Sequence, residues 1–369
     1  MRLFEYQGKD LFLKYGIPVP RSRLARDKSE ALHAVKEIGL PAVIKAQVLA
    51  GGRGKAGGVV VVKSMGDADR EAGRVLGLRI GGEATRALLI EEASDHVQEM
   101  YLAISLNRGR REFVALASRR GGTEVESHEK GAMMELPVPL EGLSSDAASS
   151  LGAGLGLDAR TCSEFRSVLL KLERLSREEE CELAEINPLA VRTDGGLVAL
   201  DSKVVLDDNA LFRHPEFSQL PPEDPFEGEA AKFGFAFVRL DGDIAVIGNG
   251  AGLVLSTLDL VSDSGGRAAC FLDLGGGAQL DRIEAALRLV RRLPRAKAVL
   301  VNIFGGITKT TDVAEGLKDV IAEAAMAPVF ARISGAEEED ARAMLSRSGI
   351  PVFDTAQDAV LAAVNEVSR

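Results

Sequence analysis

The chain has 369 residues and a formal net charge of -10, with 46% hydrophobic and 27% charged residues. This length predicts two or three globular domains. The acidic balance argues against nucleic-acid binding, which needs a basic surface. Three cysteines, Cys162, Cys181 and Cys270, provide neither a disulfide framework nor zinc-ligand spacing. The sequence contains no signal-like start and no apolar run that could span a bilayer, so we expect a cytoplasmic protein without membrane partners.

The first part of the sequence is predicted to mix helices and strands. Hydrophobic periodicity and glycine or proline stops predict helices at about 5–15, 27–39, 67–78 and 144–175. Strands are predicted at 40–48, 59–62, 88–92, 98–106 and 112–118, and a hairpin at 182–191 and 197–204. Residues 213–229 are rich in proline and acidic residues and are predicted to form a linker.

From about residue 241 the pattern becomes a regular alternation of apolar strands and helices. The predicted strands are 244–248, 269–274, 297–303, 328–333 and 351–353. Helices are predicted at 251–263, 279–292, 311–325, 337–348 and 355–367. Such alternation predicts a doubly wound parallel sheet, so the fold class is α/β and α+β multidomain.

A glycine-rich segment, GGRGKAGG at 51–58, separates the strands 40–48 and 59–62. It is not a Walker A loop, because Ala56 rather than Ser or Thr follows Lys55 and a strand comes next. Two interpretations remain open: a plain turn, or a loop whose N–H groups and Arg53 cover phosphates. Lys45 in the preceding strand would then offset phosphate charge, or its head reaches water from the strand end.

The hairpin at 182–204 is predicted to place Asn187 nearly opposite Asp201. Glu185 shares a face with Asn187, as Lys203 does with Asp201, because side chains alternate along a strand. A carboxylate and an amide oxygen that meet in this way suit Mg²⁺. A polar cross-strand cluster on a solvated face explains the same pattern equally well.

Three predicted strands of the last third end in glycine-rich turns, at 248–252, 274–277 and 304–307. The first turn is only weakly similar to a dinucleotide-binding fingerprint, since Leu253 occupies the place of the third glycine. Tight turns without a ligand are one interpretation. The other is an anion-binding sheet edge rich in N–H groups, with a helix N-terminus after Asn249. None of the four histidines adjoins a glycine turn, so a phosphohistidine would have to come from another chain.

Seven segments together carry a resemblance to a known family. They are LFEYQ at 3–7, KAQVLAGGRGKAGG at 45–58, EINPL at 185–189, DNALFR at 208–213, NGAGL at 249–253, FLDLGGG at 271–277 and VNIFGGI at 301–307. In their order and spacing they resemble the β subunits of succinyl-CoA synthetases over essentially the whole chain. The resemblance implies an ATP-grasp domain at 1–230, with subdomains at about 20–100 and at 1–20 plus 100–230. A flavodoxin-like CoA-ligase domain is implied at 241–369.

The resemblance also implies an activity and a partner. Enzymes of this family interconvert ATP or GTP, succinate and CoA with succinyl-CoA, the nucleoside diphosphate and phosphate, using Mg²⁺, in the tricarboxylic acid cycle. In this family CoA is bound mainly by an α subunit, which also carries the phosphohistidine, so no catalytic residue is expected in this chain. The assembly is expected to be αβ or α2β2. Pro20 stands where a larger polar residue accompanies GTP preference, which favours ATP.

Site residues follow from the resemblance by motif. The implied nucleotide-binding residues are Lys45, Gly52, Arg53, Gly54, Glu91, Ser94 and Glu99. The implied magnesium ligands are Asn187 and Asp201, and the implied substrate-binding residues are Asn249, Gly306, Ile307 and Thr308. Thr308 departs from the family pattern, which leaves a malate–CoA or other dicarboxylate–CoA ligase as an alternative. A non-catalytic nucleotide-binding scaffold and an NAD dehydrogenase are alternatives from other classes.

Overall fold

The computed structural model describes residues 1–122, 133–217, 220, 224–276, 280–305, 309–323 and 326–368. The chain divides into two units, Met1–Leu220 and Pro221–Arg369. Within the described ranges, no helix is both long enough and apolar enough to cross a bilayer.

The first unit combines helices with antiparallel strands. Its α-helices are α1 (Glu5–Lys14), α2 (Lys28–Ile38), α3 (Met65–Leu76), α4 (Ser145–Gly154) and α5 (Ala159–Glu178). Its strands are β1 (Ser22–Ala25), β2 (Ala42–Ala46), β3 (Val59–Val62), β4 (Arg79–Ile80), β5 (Glu83–Ala84), β6 (Leu88–Glu92), β7 (His96–Asn107), β8 (Glu112–Ser118), β9 (Met134–Val138), β10 (Cys181–Arg192), β11 (Leu197–Ala199) and β12 (Lys203–Leu206). Two short 3-10 helices follow, Asp208–Arg213 and Pro215–Phe217.

The smaller of the two main sheets in this unit has the strand order β1-β6-β2-β3, and its pairs are antiparallel. Helices α2 and α3 pack against it around buried apolar side chains such as Val35, Ile44 and Ile90. Asp27 caps α2 by accepting a hydrogen bond from the Glu30 N–H. Because side chains alternate along β2, the two residues next to Ile44 on this strand direct their side chains to the opposite face of the sheet.

The larger sheet has the order β11-β10-β7-β8-β9, and β12 also pairs with β10. Helix α5 covers it with an apolar stripe that includes Phe165, Leu169 and Leu172. Phe12 of α1 belongs to the same core. This packing holds α1 beside the hairpin formed by β10, β11 and β12. Other side chains of α1 can therefore contribute to a site there.

The second unit is built around a parallel sheet. Its α-helices are α6 (Pro225–Lys232), α7 (Ala251–Asp263), α8 (Leu280–Val290), α9 (Thr310–Glu323), α10 (Glu338–Arg347) and α11 (Ala356–Val367). Its strands are β13 (Ala236–Arg239), β14 (Ile244–Gly248), β15 (Ala268–Asp273), β16 (Ala298–Gly305) and β17 (Val329–Gly335). A parallel bridge from Ala331 to Val352 stands at the place of the predicted strand 351–353.

Strand order in this sheet is β13-β15-β14-β16-β17, with β13 antiparallel to β15 and the other pairs parallel. Counted from β14, the parallel strands and the bridge at Val352 follow the flavodoxin-like order 2-1-3-4-5. The order reverses between β14 and β16, and such a switch point is where open α/β sheets bind ligands. This confirms the doubly wound sheet predicted from the sequence.

Three local features differ from the sequence prediction. The helix predicted at 144–175 is two helices, because the chain turns at Gly156 with a φ of 68°. The linker predicted at 213–229 includes a 3-10 helix and the start of α6, whose Phe226 and Ala230 pack onto the core of the second unit. The strand predicted at 197–204 is interrupted between β11 and β12.

Candidate functional site

A buried group of charged side chains, which we call the ion cluster, lies beside the smaller sheet. Its members are Glu5, Lys9, Lys45, Arg53, Glu91 and Asp201. Lys45 of β2 and Glu91 of β6 share a sheet face, because Lys45 is opposite Leu89 and Glu91 lies two residues further on. Glu5 and Lys9 are one helical turn apart on α1 and face the same point.

The two lysines of the ion cluster share three acceptors. Lys45 Nζ lies 2.9 Å from Glu5 Oε1, 2.6 Å from Glu91 Oε2 and 2.5 Å from the Leu200 carbonyl oxygen. Lys9 Nζ lies 2.9 Å from Glu5 Oε1 and 2.7 Å from the same carbonyl, and it also donates to Glu91 Oε1. The interruption between β11 and β12 leaves this carbonyl outside the sheet ladder, where both ammonium groups reach it.

Arg53 connects the glycine-rich loop to the cluster. Its Nη1 lies 2.5 Å from Glu5 Oε2, and its Nη2 lies 2.6 and 2.7 Å from the two carboxylate oxygens of Asp201. Within the loop, the Gly58 N–H donates to the Arg53 carbonyl at 2.8 Å, which orders the turn. The cluster contains three cations and three carboxylates, so its formal charges balance.

The burial of these groups shifts their pKa values in opposite directions. Burial by itself would raise the pKa of Glu5, but Lys45, Lys9 and Arg53 together hold it well below its usual range. For Lys9 burial prevails and its pKa is lowered. For Lys45 burial is outweighed by Glu5 and Glu91, and its pKa is raised. At neutral pH Glu5 is therefore a carboxylate and Lys45 an ammonium ion, and Lys45 keeps the positive charge that a phosphate would meet.

Asn187 and Asp201 lie opposite each other across the hairpin. Glu185 of β10 pairs with Lys203 of β12, and Leu189 of β10 pairs with Ala199 of β11. The registers of both strand pairs therefore place residue 187 opposite residue 201. The carboxylate and amide oxygens are hard donors of the kind that Mg²⁺ prefers, so the donor set fits that ion. Both groups also have protein partners, which an ion would displace.

The partners of these two side chains are specific. Asn187 Oδ1 accepts from the Gly122 N–H at 2.6 Å, and its amide donates back to the Gly122 carbonyl at 3.2 Å. Asp201 Oδ1 accepts from the Ser202 N–H at 2.7 Å in addition to its contact with Arg53. An ion bound here would therefore exchange with the Arg53 guanidinium at Asp201 and with one backbone N–H at Asn187.

Glu185 lies two residues before Asn187 and on the same strand. Burial raises its pKa and the nearby Asp201 adds to the rise, while Lys203 and a 3.1 Å hydrogen bond from the Tyr101 hydroxyl oppose it. Glu185 therefore adds a carboxyl group close to Asp201.

The remaining nucleotide positions expected from the sequence are Gly52, Gly54, Ser94 and Glu99. Gly52 and Gly54 are exposed loop residues, and Gly52 has a φ of 78°. His96 links Ser94 to Glu99, because its Nδ1 is 2.9 Å from the Ser94 carbonyl oxygen and its Nε2 is 3.1 Å from Glu99 Oε1. In the part of the chain that the structure describes, neither Ser94 nor Glu99 is hydrogen bonded or ion paired to the ion cluster.

In the second unit, Asn249 bridges the strand ends at the switch point. Its Nδ2 donates to the Phe304 carbonyl and its Oδ1 accepts from the Phe304 N–H, both at 2.9 Å. Asp273 Oδ1 accepts from the N–H groups of Gly250 and Gly275, at 2.5 and 2.7 Å. Gly250 has a φ of 115°, which favours glycine. The other expected substrate positions, 306–308 (Gly306, Ile307 and Thr308), lie outside the described residues.

Sequence reasoning missed Glu5, Lys9 and the Leu200 carbonyl. A signal for the first two exists, because both charged residues fall on the buried stripe of α1 together with Leu11 and Phe12. A Glu–Lys pair one turn apart on an apolar stripe indicates a buried ionic site. Nothing in the sequence indicates the strand interruption that presents the carbonyl.

Two protein-family models match the sequence of this chain. A family model described as an ATP-grasp domain matches residues 2–191, and one described as CoA-ligase matches residues 247–365. Fold and site together define the class as an ATP-grasp ligase with a CoA-ligase domain.

Among similar proteins, the Ignicoccus hospitalis protein named succinate–CoA ligase (ADP-forming) subunit beta is 42% identical, over 99% of this chain and 98% of its own length. This chain belongs to the family of succinate–CoA ligase β subunits. The Thermus thermophilus protein named succinate–CoA ligase (GDP-forming) subunit beta is 41% identical, over 99% and 98% of the two chains. The solved structure of ATP citrate lyase from Methanothrix soehngenii with citrate and coenzyme A shares the fold. Its TM-score is 0.68 at 21% identity, over 99% of both chains.

Proposed function

We propose that this chain binds ATP with Mg²⁺ and, with an α subunit, forms succinyl-CoA, ADP and phosphate from succinate and CoA. The observation that carries the proposal is the ion cluster. It gathers Lys45 and the loop guanidinium of Arg53 next to Asp201, which faces Asn187 across the hairpin. Cations for phosphates and oxygen ligands for a metal ion are the two requirements of phosphoryl transfer.

Each side chain of the site has a defined role in this proposal. Lys45 and Arg53 neutralise phosphate charge, and the glycine loop that carries Arg53 covers the nucleotide and excludes water. Gly52 and Gly54 allow close approach of the loop backbone, since they have no side chain. The segment with Glu91, Ser94 and Glu99 holds the base and ribose, with Ser94 acting through its backbone.

Glu91 needs a change of partner for that role, because its carboxylate is held by the two lysines of the ion cluster. Asn187 and Asp201 would hold Mg²⁺. When bound, that ion offsets the negative charge on the phosphates during transfer. This chain has no catalytic residue of its own in the proposal, and the γ-phosphoryl group passes to a histidine of the α subunit.

At the second site, the glycine turns after β14, β15 and β16 receive the phosphohistidine and the acid. Asn249 holds two strand ends together at the sheet edge, where N–H groups and the N-terminus of α7 favour an anion. Gly306, Ile307 and Thr308 are included among the substrate-binding residues because of the sequence resemblance. Succinate takes the phosphoryl group, and the CoA thiol, held mainly by the α subunit, displaces phosphate. The acyl phosphate must be kept from water, which an inter-subunit site provides.

Assembly of this chain with its α subunit tests the proposal. We expect ADP and succinyl-CoA to form together when ATP, Mg²⁺, succinate and CoA are all present, and neither to form when the α subunit is omitted. No thioester with succinate, malate or any other dicarboxylate would contradict the acyl-ligase activity. The same assay with GTP tests the base preference, for which we expect ATP.

The assembly and the location of the protein are proposed from the sequence alone. The assembly is αβ or α2β2, and the mass of the purified complex distinguishes the two. The cytoplasmic location remains a prediction. An NAD dehydrogenase has no support, because the chain belongs to a ligase family and its first glycine turn lacks the third glycine.

A further inference from the structure

A second polar cluster lies near the end of the first unit and shares no residue with the ion cluster. It consists of Glu179, His214 and Glu216, and we call it the histidine cluster. Glu179 is the C-cap of α5, His214 ends the first 3-10 helix, and Glu216 lies in the second. One nitrogen or oxygen of each side chain lies within 4.8 Å of those of the other two. The proposed ligase activity uses none of the three.

The imidazole of His214 is buried without a hydrogen bond. Its side chain is 7% exposed, and its Nδ1 lies 3.6 Å from Glu179 Oε2 and 3.8 Å from Glu216 Oε1. Its Nε2 has no hydrogen-bond partner among the described residues and lies 3.8 Å from Glu180 Oε2. All three separations exceed hydrogen-bond length. A buried polar ring without partners is costly, so this arrangement calls for a further ligand.

Glu179 is already oriented for such a ligand. Its Oε1 accepts from Lys14 Nζ at 2.5 Å and from the Tyr15 hydroxyl at 2.7 Å. The second oxygen, Oε2, is directed to the imidazole. The carboxylate is only 4% exposed and is held by two donors from the end of α1, so it is fixed before any ion arrives.

We propose that the histidine cluster binds a divalent cation of the zinc type. The ligands are His214 Nδ1, Glu179 Oε2 and Glu216 Oε1, and water takes the fourth position. Bonds of about 2.0–2.2 Å in tetrahedral geometry separate neighbouring ligand atoms by roughly 3.3–3.6 Å. The two separations from His214 Nδ1, 3.6 and 3.8 Å, need a contraction of roughly a few tenths of an ångström. The two carboxylate oxygens lie within 4.8 Å of each other and must close to the same range.

Two further features fit a cation at this place. The ring's other nitrogen points towards Glu180, and metal-bound histidines usually donate that N–H to a carboxylate. Three glutamates near the ring outnumber the cations paired with them, Lys14 and Arg213, so the pocket is negative.

The ion would connect the end of α5 to the segment 208–217, and Lys14 and Tyr15 at the end of α1 would join through Glu179. Because the ion binds the folded chain and not the unfolded one, it would stabilise this end of the unit by an amount that rises with the logarithm of its concentration over Kd. Glutamate and histidine ligands favour Zn²⁺ over Mg²⁺, which prefers oxygen ligands and retains its waters.

Titration calorimetry of Zn²⁺ into the EDTA-treated full-length chain tests the proposal. We expect one high-affinity Zn²⁺ per chain that excess Mg²⁺ does not displace. Co²⁺ in its place should give the absorption bands of a tetrahedral nitrogen–oxygen site. His214→Gln should weaken binding at least about tenfold, since a ligand is lost.

Controls keep the result interpretable. Glu216→Gln removes a half-exposed ligand, so this variant should fold normally. Its affinity for Zn²⁺ should nevertheless be at least about tenfold lower. Glu164→Gln, on the exposed face of α5, and Asp201→Asn, in the proposed magnesium site, should both keep the zinc site. A folded wild-type chain that binds no Zn²⁺, or binding that survives both ligand substitutions, would overturn the proposal.

Discussion

One nitrogen of the Arg53 guanidinium lies 2.6 and 2.7 Å from the two carboxylate oxygens of Asp201. This ion pair ties the glycine-rich loop to the interruption between β11 and β12. In the proposed reaction both partners have other roles, one with phosphate and one with the metal ion. Binding of the metal–nucleotide complex therefore exchanges this ion pair for two new contacts, and substitution of either residue should change how nucleotide binding depends on Mg²⁺.

Asp201→Asn should separate nucleotide binding from Mg²⁺. The variant lacks the carboxylate that the ion needs but also releases Arg53, so ATP should still bind while its dependence on Mg²⁺ weakens on the order of 10- to 100-fold. Titration calorimetry of ATP at several Mg²⁺ concentrations measures this. Asp146→Asn, an exposed carboxylate on α4, is the matched control. An unchanged Mg²⁺ dependence would remove Asp201 from the metal site.

Lys9→Met should lower turnover although Lys9 is not among the expected nucleotide residues. The lysine shares its three acceptors with Lys45, so its loss leaves Lys45 as the only ammonium between the same two carboxylates. We expect Lys45 to be drawn further towards them and turnover to fall on the order of 10- to 100-fold. Steady-state kinetics with ATP measures the effect. Lys28→Met, at an exposed ion pair, should have wild-type kinetics. Equal kinetics for both variants would show that Lys9 does not position Lys45.

The two lysines also illustrate what the sequence can and cannot predict. The strands around the glycine-rich loop, and the alternation from residue 241 onwards, follow from hydrophobic period and turn residues, and the structure confirms them. The pairing of 187 with 201 follows from the turn at Asp194-Gly195, because a hairpin turn fixes register. These are local properties of the chain.

Contacts between distant segments were not predictable in the same way. Lys9 meets Glu91, and Glu5 meets Lys45, only because α1 packs near the smaller sheet, and tertiary packing leaves no local pattern in the sequence. The interruption at Leu200 was missed because the turn and the pattern around it predict one continuous strand at 197–204. The helix in the predicted linker was missed because a segment rich in proline and acidic residues is typical of a linker, whereas proline at the first turn also starts a helix.

Glu5→Gln should destabilise the chain and reduce its sensitivity to acid. The pKa of Glu5 is lowered on folding, so its contribution is present above the unfolded pKa of about 4.3 and is lost as the pH falls through the folded value. At neutral pH the variant should lose about 3–5 kcal/mol of unfolding free energy, since one member of a buried ionic network is removed.

Urea unfolding of the wild type and Glu5→Gln between pH 7 and pH 3 measures both effects. The stability of the variant should fall less steeply than that of the wild type below about pH 4.3. Glu164→Gln, an exposed carboxylate on α5, should follow the wild-type curve. Parallel curves for the wild type and Glu5→Gln would show that folding does not lower the pKa of Glu5.

Asn249→Ala should affect the acid and not the nucleotide. The side chain holds the ends of β14 and β16 together through Phe304, so its loss should loosen the switch-point edge. We expect the KM for succinate to rise about tenfold or more while phosphorylation of the α subunit by ATP is unchanged. Comparing those two measurements on one preparation is the check. A loss of both would indicate a general structural defect.

The central claim is that the ion cluster and the hairpin hold the nucleotide whose γ-phosphoryl group leaves this chain for a partner histidine. The most direct measurement is transfer of label from γ-³²P-ATP in the complex with the α subunit, with CoA and succinate omitted. We predict an acid-labile label on the α subunit, which is lost when Lys45 is replaced by Met and retained when Lys28 is. Label that appears on the α subunit without this chain, or that survives Lys45→Met undiminished, would contradict the account.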